Sequence, residues 1–351
     1  MQRHPLSGAA LLPATNALAL PEDLIEAARD YARAAHAPRT REAYARAWAG
    51  FETWCGAKGL PALPASAQTV AVWMAALANG EGKRKPFARA SIDQALSAII
   101  LRHRDAGHLF DRKHPAIART WKGISNTKAK TETKRQARPL MADDLRALVG
   151  TLRPQIPAEA RDAALLAVGW AAALRRSELI GLDWQHRGTG TGFVRLDERG
   201  LVITLMASKA SQDQAETIIV PCTDMPAACQ ALEVWAGVAA LKPGQPVFRP
   251  VDQRQTISEE RLTDRSVARI VKGRVRKLAR LRGRSETEAE ELVALVSGHS
   301  LRAGYATSAA AHDMPSYRIQ QHTRHKSAQM VAGYISEADK WTKSDLKGVG
   351  F

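Results

Sequence analysis

Several features that would indicate other kinds of protein are scarce or missing in this sequence. Three cysteines, Cys55, Cys222 and Cys229, are too few and too scattered for a disulfide framework or a four-cysteine zinc site. Aromatic residues make up 5% of the chain and stand mostly at core spacing, which argues against a platform for stacking single-stranded bases. No apolar run approaches the roughly twenty residues needed to span a bilayer, and no G-x-x-x-x-G-K-[ST] loop indicates an ATP-driven motor. We therefore expect a cytoplasmic protein in a reducing compartment, with no membrane partner.

Positive charge is what the sequence has in excess. The formal net charge is +16 over 351 residues, and the pI is near 10.1. Nucleic acid is the commonest acidic partner of such a soluble protein, and association with the nucleoid would follow. The alternative is a surplus of arginine brought by GC-rich coding, without any polyanionic partner.

The periodicity of apolar residues divides the chain into four parts. Residues 1–20 are expected to form a disordered arm, and residues 21–124 a small all-helical domain. Residues 125–139 are polar and basic with no apolar period, and are predicted to be an extended linker. Residues 140–351 predict a mostly helical α/β domain, because alternating branched residues around 193–222 indicate one small antiparallel sheet.

The basic residues are clustered in both halves and in the linker. A polyanion held from two sides would explain this, because each neutralised phosphate releases counterions. The alternative is that these runs are solvated helix faces. The pattern does not identify residues that read bases. The candidate DNA-binding residues are Lys83, Arg84, Lys85, Arg89, Lys122, Lys134, Arg135, Arg276 and Lys277.

Two short stretches place arginine where an apolar helix would otherwise be buried. In "ALRRSELIGL", Glu178 stands three residues after Arg175 and can lie on the same face, which would aim the guanidinium at a phosphate. A purely structural Arg–Glu pair explains this stretch equally well. In "SGHSLRAG", His299 and Arg302 are also three apart and offer two complementary phosphate contacts. A capping histidine beside a surface arginine is the alternative.

The stretch "QQHTRHKSAQMVAGY" adds His322, His325 and Tyr334. The two histidines could suggest a metal site, but no nearby Cys, Asp or Glu has ligand spacing, so we expect none. Periodicity alone would make Tyr334 a helix-face aromatic, and it does not choose among the late tyrosines.

Taken in order, these motifs resemble the tyrosine recombinase (phage integrase) family. The resemblance rests on Arg175 in "LRRSEL", Lys209 in "ASKASQDQ", "GHSLRAG", and His325 nine residues before Tyr334, and it extends over nearly the whole chain. "SGHSLRAG" is especially similar to the Cre recombinase branch. The resemblance implies a core-binding domain followed by a catalytic domain, acting as a tetramer on two duplexes that carry a specific recombination site.

The resemblance also assigns roles to the matching residues. Tyr334 matches the nucleophile that forms a 3′-phosphotyrosyl link, and the exchange proceeds through a Holliday junction. Arg175, Arg302 and His325 match donors to the phosphate oxygens, Lys209 the general acid, His299 the general base, and Glu178 the acidic residue that steadies the site. Because the covalent link conserves the energy of the phosphodiester, no cofactor, metal or ATP is expected.

The sequence departs from the family pattern at two places where glycine is usual, Ala173 and Arg324. These departures concern local loop geometry rather than the reactive groups. The tail after Tyr334 resembles one that docks on a neighbouring protomer, with Trp341 or Leu346 as the anchor. Rival interpretations are a type IB topoisomerase and a catalytically silent DNA-binding protein of the same fold. The target site, the direction of the reaction and any accessory proteins do not follow from the sequence.

Overall fold

The computed structural model describes residues 21–36, 38–82, 85–131, 137–206 and 215–342. The chain divides into two compact units, Met1–Lys134 and Arg135–Phe351. No helix within these described ranges is both long and apolar enough to cross a bilayer.

The first unit is built from helices around one apolar core. Trp48, Phe51 and Cys55 are buried there and pack against residues such as Trp73 and Ile99. The Ser66 hydroxyl accepts the Thr69 amide at 3.0 Å and so caps the N-terminus of the helix Ala67–Asn79. The helices are α1 (Glu22–Ala34), α2 (Pro38–Ala57), α3 (Ala67–Asn79), α4 (Arg89–Asp105) and α5 (Pro115–Thr131).

The extended linker predicted for residues 125–139 is wrong in its first part. Helix α5 continues to Thr131, because the Ala- and Lys-containing stretch after Gly123 has no proline or glycine to end it. At the other end, the Arg138 amide donates to the Leu295 carbonyl at 2.8 Å, and the Leu140 amide to the Ser300 carbonyl at 3.0 Å. Residues 138 and 140 are therefore fastened to the second unit.

The second unit contains the remaining helices and a four-stranded sheet with order β1-β2-β3-β4. The mostly helical α/β class predicted for this half is confirmed. The elements are α6 (Ala142–Gly150), α7 (Pro157–Ala171), α8 (Arg176–Ile180), β1 (Leu182–Trp184), β2 (Gly192–Asp197), β3 (Gly200–Leu205), β4 (Glu216–Pro221), α9 (Pro226–Val238), α10 (Asp264–Leu281), α11 (Glu286–Leu295), α12 (Ser300–Ala311), α13 (Ser316–Thr323) and α14 (Ala328–Thr342).

The sheet is mixed rather than antiparallel as predicted. β2 pairs antiparallel with β3, and β3 with β4, but β1 runs parallel to β2 with Leu182 opposite Gly192. The alternation of residues 193–222 identified the two hairpin pairings. It could not identify β1, because a three-residue strand that is buried at every position has no alternation.

Cys222 and Cys229 form a disulfide, with Cα atoms 5.7 Å apart. The sequence predicted no disulfide framework, and the structure has this one bond between two of the three cysteines. Cys222 directly follows β4 and Cys229 lies in the first turn of α9, so the short connection returns one towards the other. Cys55 is a free, buried thiol.

Helix α12 crosses the centre of the second unit and is buried along most of its length. It lies so close to the segment before α6 that a Cβ added at Gly304 would stand 1.8 Å from the Leu140 carbonyl oxygen. Only glycine fits this crossing, which fixes the depth at which α12 places its first turn. That first turn begins at His299 and carries Arg302.

Candidate active site

Arg175 and Glu178 lie at the start of α8 and form the pair predicted from their spacing. The Glu178 carboxylate accepts the Arg175 backbone amide at 2.8 Å and also forms an ion pair with its guanidinium. The second guanidinium nitrogen of Arg175, Nη2, donates to the Arg324 carbonyl at 3.0 Å. The carboxylate thus caps the helix and orients the arginine at once.

Arg302 projects from the first turn of α12 and is 1% exposed. Its Nη1 donates to the Ala173 carbonyl at 2.8 Å, a contact between residues 129 positions apart. Among the described residues, its buried Nη2 has no hydrogen-bond partner. Burial, followed by the positive charges of Arg175 and Arg324, lowers the pKa of Arg302 to about 10. A guanidinium held in this way strongly favours an anionic partner.

His299 and Tyr334 are brought together from α12 and α14. The phenol oxygen of Tyr334 lies 3.4 Å from Nε2 of His299. Burial and the charges of Arg302, Arg176 and Arg175 lower the pKa of His299, so its imidazole is neutral near pH 7. Burial raises the pKa of Tyr334, against the lowering effect of Arg302. A neutral imidazole facing a protonated phenol is the arrangement that general-base catalysis requires.

His325 lies beside the same phenol, with ring centroids 5.4 Å apart. Its Nδ1 lies 2.6 Å from the Thr323 hydroxyl, which in turn donates to the Ile319 carbonyl at 2.6 Å. Because a carbonyl only accepts, the hydroxyl proton points to Ile319, and His325 Nδ1 donates to the hydroxyl oxygen. Burial and the nearby arginines Arg302 and Arg175 lower the pKa of His325 to about 4. Its Nε2 is therefore unprotonated at neutral pH.

Arg324 is a component of this site that was identified only as a departure from glycine. It adopts a left-handed backbone with φ 55° at the end of α13, and Ala173, the other departure, has φ 46°. Both residues thus occupy conformations that favour glycine. The Arg324 guanidinium is buried and donates to the Ala173 carbonyl at 3.1 Å and to Glu178 Oε2 at 2.9 Å. The two departures from glycine were the signal in the sequence that this place is unusual. Sequence spacing does not show which residues the Arg324 side chain contacts.

The charges gathered here do not balance. Arg175, Arg302 and Arg324 contribute three positive charges, while Glu178 pairs with two of them and Glu216 approaches Arg324 at 3.6 Å. Burial raises the pKa of Glu178, but the charges of Arg324 and Arg175 outweigh it and leave the pKa below its usual range. Glu178 is therefore ionised, and the surplus remains positive. An anion with several oxygens, such as a phosphodiester, complements such a surface.

His322 and the remaining late tyrosines have structural positions. His322 Nε2 donates to the Ala171 carbonyl at 2.7 Å, and its ring stacks on Tyr305 with centroids 4.3 Å apart. That contact ties α13 to the end of α7 and leaves Nε2 engaged. Tyr305 is buried, and Tyr317 is 63% exposed on α13.

The other predicted residues fall into three groups. Lys209 lies outside the described residues, and so do Lys83, Arg84, Lys134 and Arg135. Lys85, Arg89 and Lys122 have exposed side chains on the helical unit. Arg276 and Lys277 form ion pairs within the second unit: Arg276 Nε lies 2.5 Å from Glu290, and Lys277 Nζ lies 2.9 Å from Glu159. Part of the positive charge of α10 is therefore already paired, since Arg280 also pairs with Glu286 of α11. Arg284, which follows α10, pairs with Glu288.

Comparison with known proteins identifies a family that this chain matches. Residues 138–340 match the model of the phage integrase family. The chain is 32% identical over 308 residues to an integrase/recombinase xerD homolog of Selenomonas ruminantium, covering 86% of this chain and 83% of that protein.

Solved structures give more distant likenesses. The crystal structure of XerA recombinase has a TM-score of 0.40 at 15% identity, covering 92% of this chain and 96% of that one. The Tn1549 transposon integrase in complex with circular intermediate DNA has a TM-score of 0.47 at 15% identity, covering 77% of this chain and 81% of that one.

Proposed function

Since the chain belongs to the phage integrase family, we propose that it is a site-specific DNA recombinase in which Tyr334 is the nucleophile. One observation carries the residue assignment. The Tyr334 phenol lies 3.4 Å from a neutral His299, beside an Arg302 guanidinium whose buried Nη2 has no partner among the described residues. A phosphodiester placed between them would receive the guanidinium donors and present its phosphorus to the phenol.

The cleavage step follows from these positions. The phenol proton passes to Nε2 of His299 as the tyrosine oxygen forms its bond to phosphorus. The bond from phosphorus to the 5′-oxygen breaks, and that oxygen leaves as a hydroxyl once it has gained a proton. We assign that proton to Lys209, which matches the family's general acid. Rejoining is the reverse sequence with the 5′-hydroxyl of another strand.

Charge development explains the donors. In the five-coordinate transition state the phosphoryl oxygens carry about two negative charges, so donors aimed at them lower the barrier. Arg175 and Arg302 are held for this task by Glu178 and by the Ala173 carbonyl respectively. The phosphate charge would raise the pKa of His325 from about 4 and make its Nε2 a third donor.

The wider assembly is part of this proposal. We propose that the protein acts as a tetramer on two duplexes through a Holliday junction, and that it is a cytoplasmic, nucleoid-associated protein. The stretch "SGHSLRAG" supports placing it near the Cre branch of the family. Lys85, Arg89 and Lys122, which are exposed, would contact the DNA backbone. A catalytically silent DNA-binding protein is disfavoured by the approach of His299 to Tyr334, which DNA binding alone does not require.

The test is covalent capture. The protein is incubated with nicked duplexes taken from the DNA that flanks its own gene, and adducts are separated on a denaturing gel. Wild type is expected to form a 3′-linked adduct that Tyr334→Phe does not form. Tyr317→Phe, which removes an exposed tyrosine hydroxyl of the same unit, should form it normally. An adduct that persists in Tyr334→Phe would refute the assignment of the nucleophile, and relaxation of supercoiled DNA without site preference would favour a topoisomerase.

A further inference from the structure

Arg324 lies where the family pattern usually has glycine, and its contacts exceed what a turn residue needs. We propose that Arg324 is a positioning residue, which holds Arg175 and Glu178 in register with the nucleophile. The proposal rests on the proposed recombinase function, but its structural part can be measured without DNA.

The backbone of Arg324 performs the first part of this role. At φ 55° its carbonyl turns back from the end of α13 and accepts Nη2 of Arg175 at 3.0 Å. His325 is the next residue in the chain. The peptide between Arg324 and His325 therefore orients Arg175 through its carbonyl and also leads directly into His325, the other phosphate donor. A glycine at this position could make the same carbonyl contact.

The side chain performs a second part that glycine cannot. Its Nη1 donates to the His322 carbonyl at 2.8 Å and to the Ala172 carbonyl at 3.2 Å, while Nη2 donates to the Ala173 carbonyl and to Glu178. The fork therefore joins the end of α13, the end of α7 and the start of α8. These are the three places that support His325, Arg302 and Arg175.

The two guanidiniums use different oxygens of one carboxylate. Arg175 forms its ion pair with Oε1 of Glu178, and Arg324 contacts Oε2 at 2.9 Å. The same Oε2 also accepts the Arg175 backbone amide at 2.8 Å, so Arg324 adds a second donor to that oxygen and further restricts the carboxylate that orients Arg175. Burial raises the pKa of Glu178, and the charge of Arg324 acts with the charge and hydrogen bonds of Arg175 to lower it below its usual range.

Arg324 makes one further contact, with the sheet. Its Nε lies 3.6 Å from a carboxylate oxygen of Glu216, the first residue of β4. This distance is too long for a hydrogen bond, and Nε has no hydrogen-bond partner among the described residues. The interaction is therefore an electrostatic one between the arginine and the edge of the sheet.

A substitution by glycine distinguishes a positioning role of the Arg324 guanidinium from simple stabilisation of the turn. Replacing arginine by glycine relieves the left-handed backbone, so a residue that served only the turn would be improved by the change. A positioning residue would instead lose function while the fold persists. Loss of alignment of this kind costs on the order of 10²-fold in rate.

The experiment uses three variants of the full chain. Arg324→Gly removes the fork and suits the backbone, Arg324→Lys keeps the charge without the fork, and Arg318→Ala removes an exposed charge from the same helix as a control. Two readouts are taken: the rate of adduct formation on the nicked duplex, and the Glu178 carboxyl pKa from the ¹³C NMR titration of the DNA-free protein.

We expect Arg324→Gly to lower the adduct rate about 10²-fold and to raise the Glu178 pKa, with an unchanged folded spectrum. Compared with Arg324→Gly, Arg324→Lys should have a Glu178 pKa much closer to that of wild type but should recover only part of the adduct rate. Arg318→Ala should match wild type in both readouts. A wild-type rate and an unchanged Glu178 pKa in both Arg324 variants would overturn the proposal. If wild type itself forms no adduct, the proposed function fails, and the Glu178 titration still decides whether Arg324 holds the carboxylate.

Discussion

The Tyr334 hydroxyl lies 3.4 Å from Nε2 of His299, and burial together with three arginines lowers the pKa of that imidazole. His299 therefore accepts a proton at pH values where an ordinary histidine is already charged. We expect His299→Ala to slow cleavage by about 10²–10⁴-fold, the usual contribution of a general base. His299→Gln, which retains a hydrogen-bonding group, should keep more activity than alanine. Single-turnover adduct formation measures both variants.

The same pair sets the pH dependence of cleavage. Protonated His299 cannot accept the phenol proton, so the rate falls as pH drops through its pKa. Since that pKa lies below the ordinary 6.5, the acid limb of the second-order rate constant should also lie below 6.5. In His299→Gln this limb should be lost. An acid limb that remained at the same pH in His299→Gln would show that another group titrates.

Arg302 is expected to trade stability for function. Its pKa is lowered from 12.5 to about 10, chiefly by burial, which corresponds to about 3 kcal/mol of destabilisation of the charged folded state at neutral pH. Arg302→Met should therefore raise the free energy of unfolding of the DNA-free protein, by about 1–3 kcal/mol. The Ala173 carbonyl would keep its bond from Arg324. Denaturant unfolding measures the change, and adduct formation should fall by at least about 10²-fold.

Arg276→Met is the matched control for this substitution. Arg276 is paired with Glu290 on the outer side of α10, and its removal should change stability by less than about 1 kcal/mol. If Arg302→Met destabilised the protein while Arg276→Met did not, the charge of Arg302 would be satisfied in the DNA-free state, contrary to our account.

The crossing of α12 over Leu140 predicts a steep response to a single methyl group. A Cβ at residue 304 would lie 1.8 Å from the Leu140 carbonyl oxygen and 2.9 Å from Trp170 Nε1. Gly304→Ala should lower the free energy of unfolding by about 1–3 kcal/mol or more, and displace the first turn that carries Arg302. Gly273→Ala on α10, where an added Cβ meets no described atom within 4 Å, should be neutral or raise stability by about 0.5–1 kcal/mol. Equal effects of the two substitutions would contradict the close approach.

Lys122 and Arg276 were both predicted from the sequence to bind DNA, but their contributions to binding should differ. Lys122 is exposed on α5, whereas Arg276 is neutralised by Glu290. If Lys122 contacts a phosphate, Lys122→Ala should make the negative slope of log affinity against log salt shallower by about 0.9. Arg276→Ala should change the slope much less, since its charge already has a partner. Fluorescence anisotropy with duplex DNA over a salt series distinguishes them; equal slopes for wild type and Lys122→Ala would remove Lys122 from the interface.

How far the sequence reached can be judged from particular residues. The Arg175–Glu178 pair was predictable because residues three apart share a face, and structure places them in contact. The approach of His299 to Tyr334 was predictable only through family spacing, since 35 residues separate them. Arg324 was visible as an exception to glycine, but its contact with Glu178 spans 146 residues and has no local signature.

The sequence by itself determined the helical character of both halves, the mixed class of the second half and the kinds of side chain available for phosphate chemistry. Those properties follow from periodicity and residue type, which act over a few residues along the chain. Only the tertiary structure decided that β1 runs parallel to β2, that Cys222 meets Cys229, that Lys277 pairs with Glu159, and that Arg324 turns inward to Glu178. Such pairings depend on which distant segments are brought together by packing. The local sequence around a charged group or a thiol does not specify its partner, because that partner comes from another part of the fold.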